Sequence, residues 1–455
     1  MPNAIAYATL ICWPIVILLQ MLKLPPRRAV VWSFLAALLI LPVGTKMDFP
    51  GVPPLDKTII PNLSALAFAI LLLKQRVVAF PRSALLTTAM VVFVISPLFT
   101  TLGNGDPIFL AMRTVPGMAL YDGIAACVGQ ALILIPFVMG YSLLGDEQGH
   151  REILLALVLA GLAYSIPMLL EVRFSPQLHS LLYGYFPHSF AQQMRWGGFR
   201  PVVFLGHGLL VAIFCAMAFL AACHFARHRL RLKGIPGSIL ALYLFVVLVL
   251  CKSLGALALT LLIAPIFFMC RPRTMTVLAG LVAIVILTYP LLRGSKLIPI
   301  ATVSSTFGLV STDRQDSLLF RLENEDKLLA KAGRRPVFGW GTWGRNRIYD
   351  GYQDGDSSVT DGTWIIIVGV YGWAGYLAAF GLLCYPLIAP LSKRAVLRNV
   401  APATASLGLV LLINLIDLIP NSSLTPLTWL LAGALCGSVS RKGPAPAGAA
   451  PDRLN

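Results

Sequence analysis

Residues 201–223 read PVVFLGHGLLVAIFCAMAFLAAC, and His207 is the only acidic or basic residue among them. Crossing a ~30 Å hydrocarbon core takes about 20 consecutive apolar residues in a helix, so this run is long enough to span a bilayer. Comparable runs recur along the chain, near 4–22, 29–43, 59–73, 83–102, 122–144, 152–170, 235–251, 253–270, 274–292, 362–389, 401–420 and 424–438. The composition agrees: only 12% of the 455 residues are charged and mean hydropathy is +0.80, where a soluble chain carries roughly 25% charged residues. In lipid every backbone N–H and C=O needs an internal partner, and no alternating pattern suits a barrel strand. The expectation is therefore an all-α, polytopic helical membrane protein. It has about 12–13 transmembrane helices in a single domain, 1–440, and a disordered cytoplasmic tail over 441–455. The first span lacks a basic leader and reads as an uncleaved helix.

The net charge of +17 is a topology signal. With loops assigned alternately to the two sides, one side receives 19 cations and four acids (19 − 4 = +15). The other keeps the remaining 17 cations and 15 acids (17 − 15 = +2). Such a bias places the first side in the cytoplasm and the N-terminus outside. The basic residues are spread over seven short loops, whereas a nucleic-acid partner would need them on one folded surface. All eight cysteines lie in or beside apolar runs, where they read as small buried hydrophobes and imply no disulfide framework. The six histidines are scattered along the chain, and neither cofactor nor metal is expected.

Three outer loops exceed connector length: 103–121, 173–200 and 293–361. Long loops in a chain of tight turns are usually functional. The third contains an amphipathic helix. Asp316 can cap it, apolar residues recur at Leu318, Leu319, Leu322 and Leu329, and Gly333 with Pro336 ends it. Cations on this side run against the topological bias. Arg195 and Arg200 stand just before the run starting at Pro201, and Lys252-Ser253 breaks the apolar stretch from Ile235 to Cys270. Guanidinium forks and an ammonium together suit phosphate, and a lipid-linked diphosphate would lie at this depth. Plainer roles stand beside that one. Arg200 can snorkel to headgroups, Arg321 can pair with Glu325 one helical turn on, and Lys252 can be a turn residue. His207 can pack helices, and Asp417 can hydrogen-bond a neighbouring helix. Asp354-Gly355-Asp356 reads as an Asx-type turn.

The stretch from Arg321 to Gly375 resembles the signature region of the O-antigen ligase and O-antigen polymerase family, membrane glycosyltransferases of the GT-C type. Arg321 opens the helix, and Pro336, Gly339 and Gly341 follow in register. Asp361-Gly362-Thr363-Trp364-Ile365 comes next, with Gly372 and Gly375 at the family's offsets. Arg195-Trp196-Gly197-Gly198 resembles the family's Arg-x-x-Gly, and Lys252-Ser253-Leu254-Gly255 its turn between two spans. The likeness covers roughly the second half of the chain. It departs at Asp361, where the ligases carry histidine, and the long loop has no histidine.

The resemblance implies a metal-independent enzyme of the bacterial inner membrane with its site on the periplasmic side, working in O-antigen or exopolysaccharide assembly. Its donor would be a polyprenyl-diphosphate-linked oligosaccharide and its acceptor a glycan or lipid hydroxyl. Arg195, Arg200 and Lys252 would bind the diphosphate, and Arg321 would stabilise it as it leaves. Asp361 would accept the proton of the attacking hydroxyl, as a weaker base than imidazole (reference pKa ~3.9 against ~6.5). That weakness fits a repeat-unit polymerase somewhat better than a ligase. A transporter or flippase of lipid-linked glycans, and a non-catalytic member of an assembly complex, are the alternatives.

Overall fold

A computed structural model describes residues 1–49, 53–74, 77–110, 112–195, 197–295, 312–349, 356 and 358–440; the predicted tail lies outside them. The chain is mostly helical, 69% helix against 4% strand. Its strands are two-residue pairs in loops. The helices are α1 Ala4–Lys23, α2 Pro26–Ile40, α3 Ile59–Leu71, α4 Ala84–Leu102, α5 Leu120–Ile133, α6 Ile135–Leu143, α7 Glu147–Phe174, α8 Leu178–Tyr183, α9 Gly208–Arg227, α10 Gly237–Leu250, α11 Leu254–Met269 and α12 Pro272–Gly294. They continue with α13 Thr312–Ala332, α14 Thr363–Ser392, α15 Arg394–Arg398, α16 Pro402–Asp417 and α17 Pro426–Ser440.

Among the described residues, seven of these elements are long and apolar enough to cross a membrane, with α5 and α6 counted as one. Five shorter apolar helices (α3, α10, α11, α16 and α17) pack among them. The hydrophobic residues are not confined to the interior. Along α1, Ile5, Ile11, Ile15, Leu19 and Leu22 are exposed while Ala6, Leu10, Trp13, Ile17 and Met21 are buried. An apolar outward stripe of this size suits lipid as its solvent, and the chain is a helical membrane protein.

Helix α9 is the centre, packed against α7, α10, α11 and α16. Close approach elsewhere comes from Gly433 and Gly437, four residues apart on α17. A Cβ at Gly433 would lie 2.0 Å from the Phe137 carbonyl oxygen of α6, and one at Gly437 2.5 Å from that of Tyr141. Small residues at this spacing let backbones meet where no water drives the helices together.

Two sequence boundaries move. The run 201–223 enters its helix only at Gly208, and residues 201–207 are loop. The Glu171 carboxylate, at the end of α7, accepts from the Val202 and Val203 N–H groups at 2.7 Å each. Hydropathy does not register that anchor. The run 122–144 splits at Leu134, where Pro136 suits the start of a new helix.

The loops gather at two ends. At the basic end, Arg27 pairs with Asp146 at 2.5 Å and Arg28 with Glu152 at 3.0 Å. The opposite end carries the loops around 41–58, 103–119, 175–207, 251–253 and 418–425, together with α13. There Asn3 N–H donates to Tyr183 O at 3.0 Å.

Candidate functional site

The site is framed by a break in α14. Gly372 adopts φ +65°, ψ −164° inside that helix, which withdraws backbone groups from the helical ladder. A turn from the loop between α13 and α14 takes them up. Trp340 and Gly341 N–H donate to the Gly369 and Val370 carbonyls at 2.9 Å each, and Trp373 and Ala374 N–H donate to the Pro336 and Val337 carbonyls at 2.8 and 3.0 Å. Only glycine fits on either side. A Cβ at Gly339 (φ +70°) would lie 2.5 Å from Val370 O, and one at Gly372 2.4 Å from Val337 O. Buried Arg345 ties the turn to loop 103–119, donating to Trp340 O at 3.2 Å, Pro116 O at 2.9 Å and Asp106 O at 2.8 Å. The Pro336–Gly-x-Gly pattern is therefore a docking device for the loop.

Held this way, α13 lies against the start of α14. Helix α13 begins at Thr312, so Asp316 stands inside it and is not its cap. Arg321 Nε lies 3.3 Å from Asp361 Oδ2, with both side chains about two-fifths exposed (41% and 38%). The alternative Arg321–Glu325 pairing gives way to another arrangement. Arg293, 1% exposed at the tip of α12, faces Glu325 at 3.5 Å and Asp326 at 3.0 Å. Nor does Asp361 cap α14. The cap is Gly362 with no side-chain bond, and Thr363 N–H donates to Leu418 O at 2.9 Å and Asn421 O at 3.2 Å.

The loop after α8 supplies Arg195 and Arg200, and the turn between α10 and α11 supplies Lys252. Arg195 sits in a two-residue pairing with Gly198. Lys252, at φ +51° in the turn between α10 and α11, donates from Nζ to Arg195 O at 3.2 Å. Arg200 Nη2 donates to Lys252 O at 3.4 Å. Room comes from glycines again: a Cβ at Gly198 would lie 2.1 Å from Lys252 Nζ, and one at Gly208 2.0 Å from Arg200 Cδ. Arg200 is 8% exposed, and among the described residues neither its Nε nor the buried Gln193 Oε1 has a hydrogen-bond partner. Burial, reinforced by Arg195 and Arg321 nearby, lowers the Arg200 pKa to about 10, which leaves it charged at neutral pH. Its guanidinium is thus a buried donor with spare capacity, and such a group is costly unless something answers it.

His207 is the N-cap of α9, and its Nδ1 accepts from Leu209 N–H at 3.1 Å. Its ring meets His188 edge-on, centroids 4.6 Å apart. Burial first, then His188, Arg200, Arg195 and Arg321, hold His207 down to about 4, so it is neutral at pH 7.

Arg195, Arg200 and Lys252 thus form one contact group and Arg321–Asp361 another, and Arg321 acts electrostatically on both Arg200 and His207. Neither a family model nor a curated protein matches this chain. Guanidinium and ammonium groups of this kind suit an anion of high charge density such as phosphate.

Sequence reasoning missed His188 and Gln193, which carry no periodicity or motif. It also placed Asp417 against a neighbouring helix. That carboxylate instead accepts from Asn421 Nδ2 at 2.8 Å and Ser423 Oγ at 2.6 Å, in the turn just after its own helix. The Asx-type turn appears at Asp356, whose Oδ1 accepts from Ser358 N–H at 3.1 Å; Asp354 lies outside the described residues.

Proposed function

We propose that the protein is a metal-independent glycosyltransferase of the bacterial inner membrane, with its site on the periplasmic side. It transfers or polymerises an oligosaccharide from a polyprenyl-diphosphate carrier onto a sugar hydroxyl. The observation that carries this reading is the Arg321–Asp361 pair within electrostatic reach of Arg200, a buried guanidinium whose Nε has no partner among the described residues. The acceptor oxygen forms a bond to the anomeric carbon while the carbon–oxygen bond to the diphosphate breaks. The hydroxyl proton passes to a carboxylate oxygen of Asp361, and the charge left on the diphosphate is met by Arg195, Arg200, Lys252 and Arg321. Preorganised donors aimed at developing charge commonly supply the largest single share of catalysis. Arg321 also holds Asp361 in place until substrate phosphate competes for the guanidinium.

The test is the length of surface glycans in cells lacking the protein. Single repeats on the lipid core would mark a lost polymerase, and full-length chains left on the carrier a lost ligase. Unchanged glycans would remove the reading.

A further inference from the structure

The Arg321–Asp361 pair is too exposed to fix its own geometry, since solvent screens such a pair and its side chains keep their freedom. Where α13 lies against the head of α14 must be set elsewhere, and the tip of α12 grips both helices. Tyr289 and Arg293 stand four residues apart on α12, one turn along the same face. Arg293 is 1% exposed, and the groups that answer its charge come from a single turn of α13. Its Nη2 donates to Leu322 O at 2.9 Å and lies 3.0 Å from Asp326 Oδ1, and its Nε lies 3.5 Å from Glu325 Oε2. Tyr289 Oη reaches the same Glu325 oxygen at 3.5 Å, and its ring meets Trp364 edge-on, centroids 5.1 Å apart. Leu322 follows Arg321 directly, and the fully buried Trp364 comes three residues after Asp361. One turn of α12 thus holds the neighbours of both members of the pair.

A buried guanidinium without its partners is an uncompensated charge in a low dielectric. Arg293 Nη1 already has no hydrogen-bond partner among the described residues. A slide or turn of α13 would take the carbonyl and both carboxylates from Arg293 together, so the docked register is the one that satisfies it. Other contacts keep α13 attached. Asn324 Oδ1 accepts from Val359 N–H at 3.2 Å, and Leu328 and Ala332 are buried.

We propose that Arg293 is the positioning residue of this site: through Leu322 O, Glu325 and Asp326 it sets the register of α13, and so the distance between Arg321 and Asp361. It acts through α13 and takes no part in the bond changes. Its effect on transfer rests on the glycosyl-transfer reading, whereas its effect on α13 does not.

The experiment compares native protein, Arg293→Met and Arg293→Lys, full-length in lipid nanodiscs. Hydrogen exchange is read by mass spectrometry, beside initial rates of transfer with the lipid-linked glycan fraction of the native cells as donor. Met keeps the apolar stem without the charge, and Lys keeps the charge without the fork. In Arg293→Met the amides of 322–332 should exchange about tenfold faster, with those of α9 unchanged and the protein eluting as one species. Transfer at saturating donor should fall about tenfold while KM for the donor moves less than about threefold, because Arg195, Arg200 and Lys252 stay in place. Arg293→Lys should recover part of both. Native exchange across α13 in Arg293→Met would overturn the proposal, and so would native exchange in Arg293→Lys should only that variant assemble. A loosened α13 with native transfer rates, or a loss expressed in KM alone, would overturn it as well. A native protein that transfers no glycan would remove the glycosyl-transfer reading instead, and the exchange comparison alone would then uphold or overturn the hold of Arg293 on α13.

Discussion

Arg321 of α13 and Asp361 at the threshold of α14 form an ion pair, Nε to Oδ2 3.3 Å, that links the loop helix to the head of a long apolar helix. Both side chains stay reachable from solvent, so the pair is available to a ligand. An exposed pair of this kind contributes about 0–1 kcal/mol to stability; in the proposed mechanism it holds the base and a diphosphate donor in register.

Asp361→Asn should therefore leave the melting temperature nearly unchanged and lower glycan transfer about 10²-fold or more, the usual size of a lost general base. Asp361→His should keep measurable transfer, because imidazole also accepts a proton. Transfer by membranes carrying each variant, beside a thermal melt, checks both. An active Asp361→Asn protein would remove the base assignment.

Arg321→Ala and Arg195→Ala should each cost about 2–4 kcal/mol of transition-state stabilisation. Lysine at either position should restore only part of it, since the planar fork is lost. Initial rates against donor concentration would separate this from a loss of donor binding alone.

Gly372→Ala should be destabilising by several kcal/mol. It combines a left-handed φ with a Cβ 2.4 Å from Val337 O, and buried backbone strain of this kind alone costs about 1–3 kcal/mol. Gly381→Ala, in the same helix with nothing within 4 Å of the added methyl, should be neutral or slightly stabilising. The yield of monodisperse protein distinguishes the two.

The pH dependence of stability should carry the signature of Lys57. Burial lowers its pKa from 10.5 to about 7, with Asp56 opposing the shift. Below pH 7 the amine is charged in both folded and unfolded chains, and the full cost of burying that charge is present. Between about 7 and 10.5 only the unfolded chain binds the proton, so stability rises with pH across that window. The melting temperature of the native protein should gain on that of Lys57→Met from pH 7 to 10. A constant difference between the two curves would contradict this.

Cysteine labelling in intact cells, in a background with the native cysteines replaced, should reach Val359→Cys and spare Arg229→Cys. The reverse pattern would invert the topology drawn from the +15 against +2 charge split.

The apolar helices were legible because hydropathy depends on composition over a window, and lipid leaves a long apolar run few alternatives; of the 12–13 spans expected, seven helices among the described residues have the length to cross a membrane. The break at Lys252-Ser253 was legible for the same reason, as a cation inside such a run. What escaped depends on single contacts between distant segments. That residues 201–207 are loop follows from one carboxylate, Glu171. That Arg321 faces Asp361 and leaves Glu325 to Arg293 follows from how α13 docks, which no pairwise spacing encodes. The glycines at 339, 341 and 372 were visible as a pattern, but their reason, a loop joined to a broken helix, required the fold. His188 reaches His207 by the path of a loop with no periodicity at all.

The four backbone hydrogen bonds shared between the 336–341 turn and the break at Gly372 bear on how this protein can be recombined. Neither partner satisfies its own polar groups when separated. A chimera that exchanges only the loop between α13 and α14 would strand carbonyls and amides in apolar surroundings, and so would one that exchanges only α14. The interchangeable piece runs from α13 through at least Ala374, and grafts cut at Gly362, where hydropathy alone would place the seam, should fail to assemble.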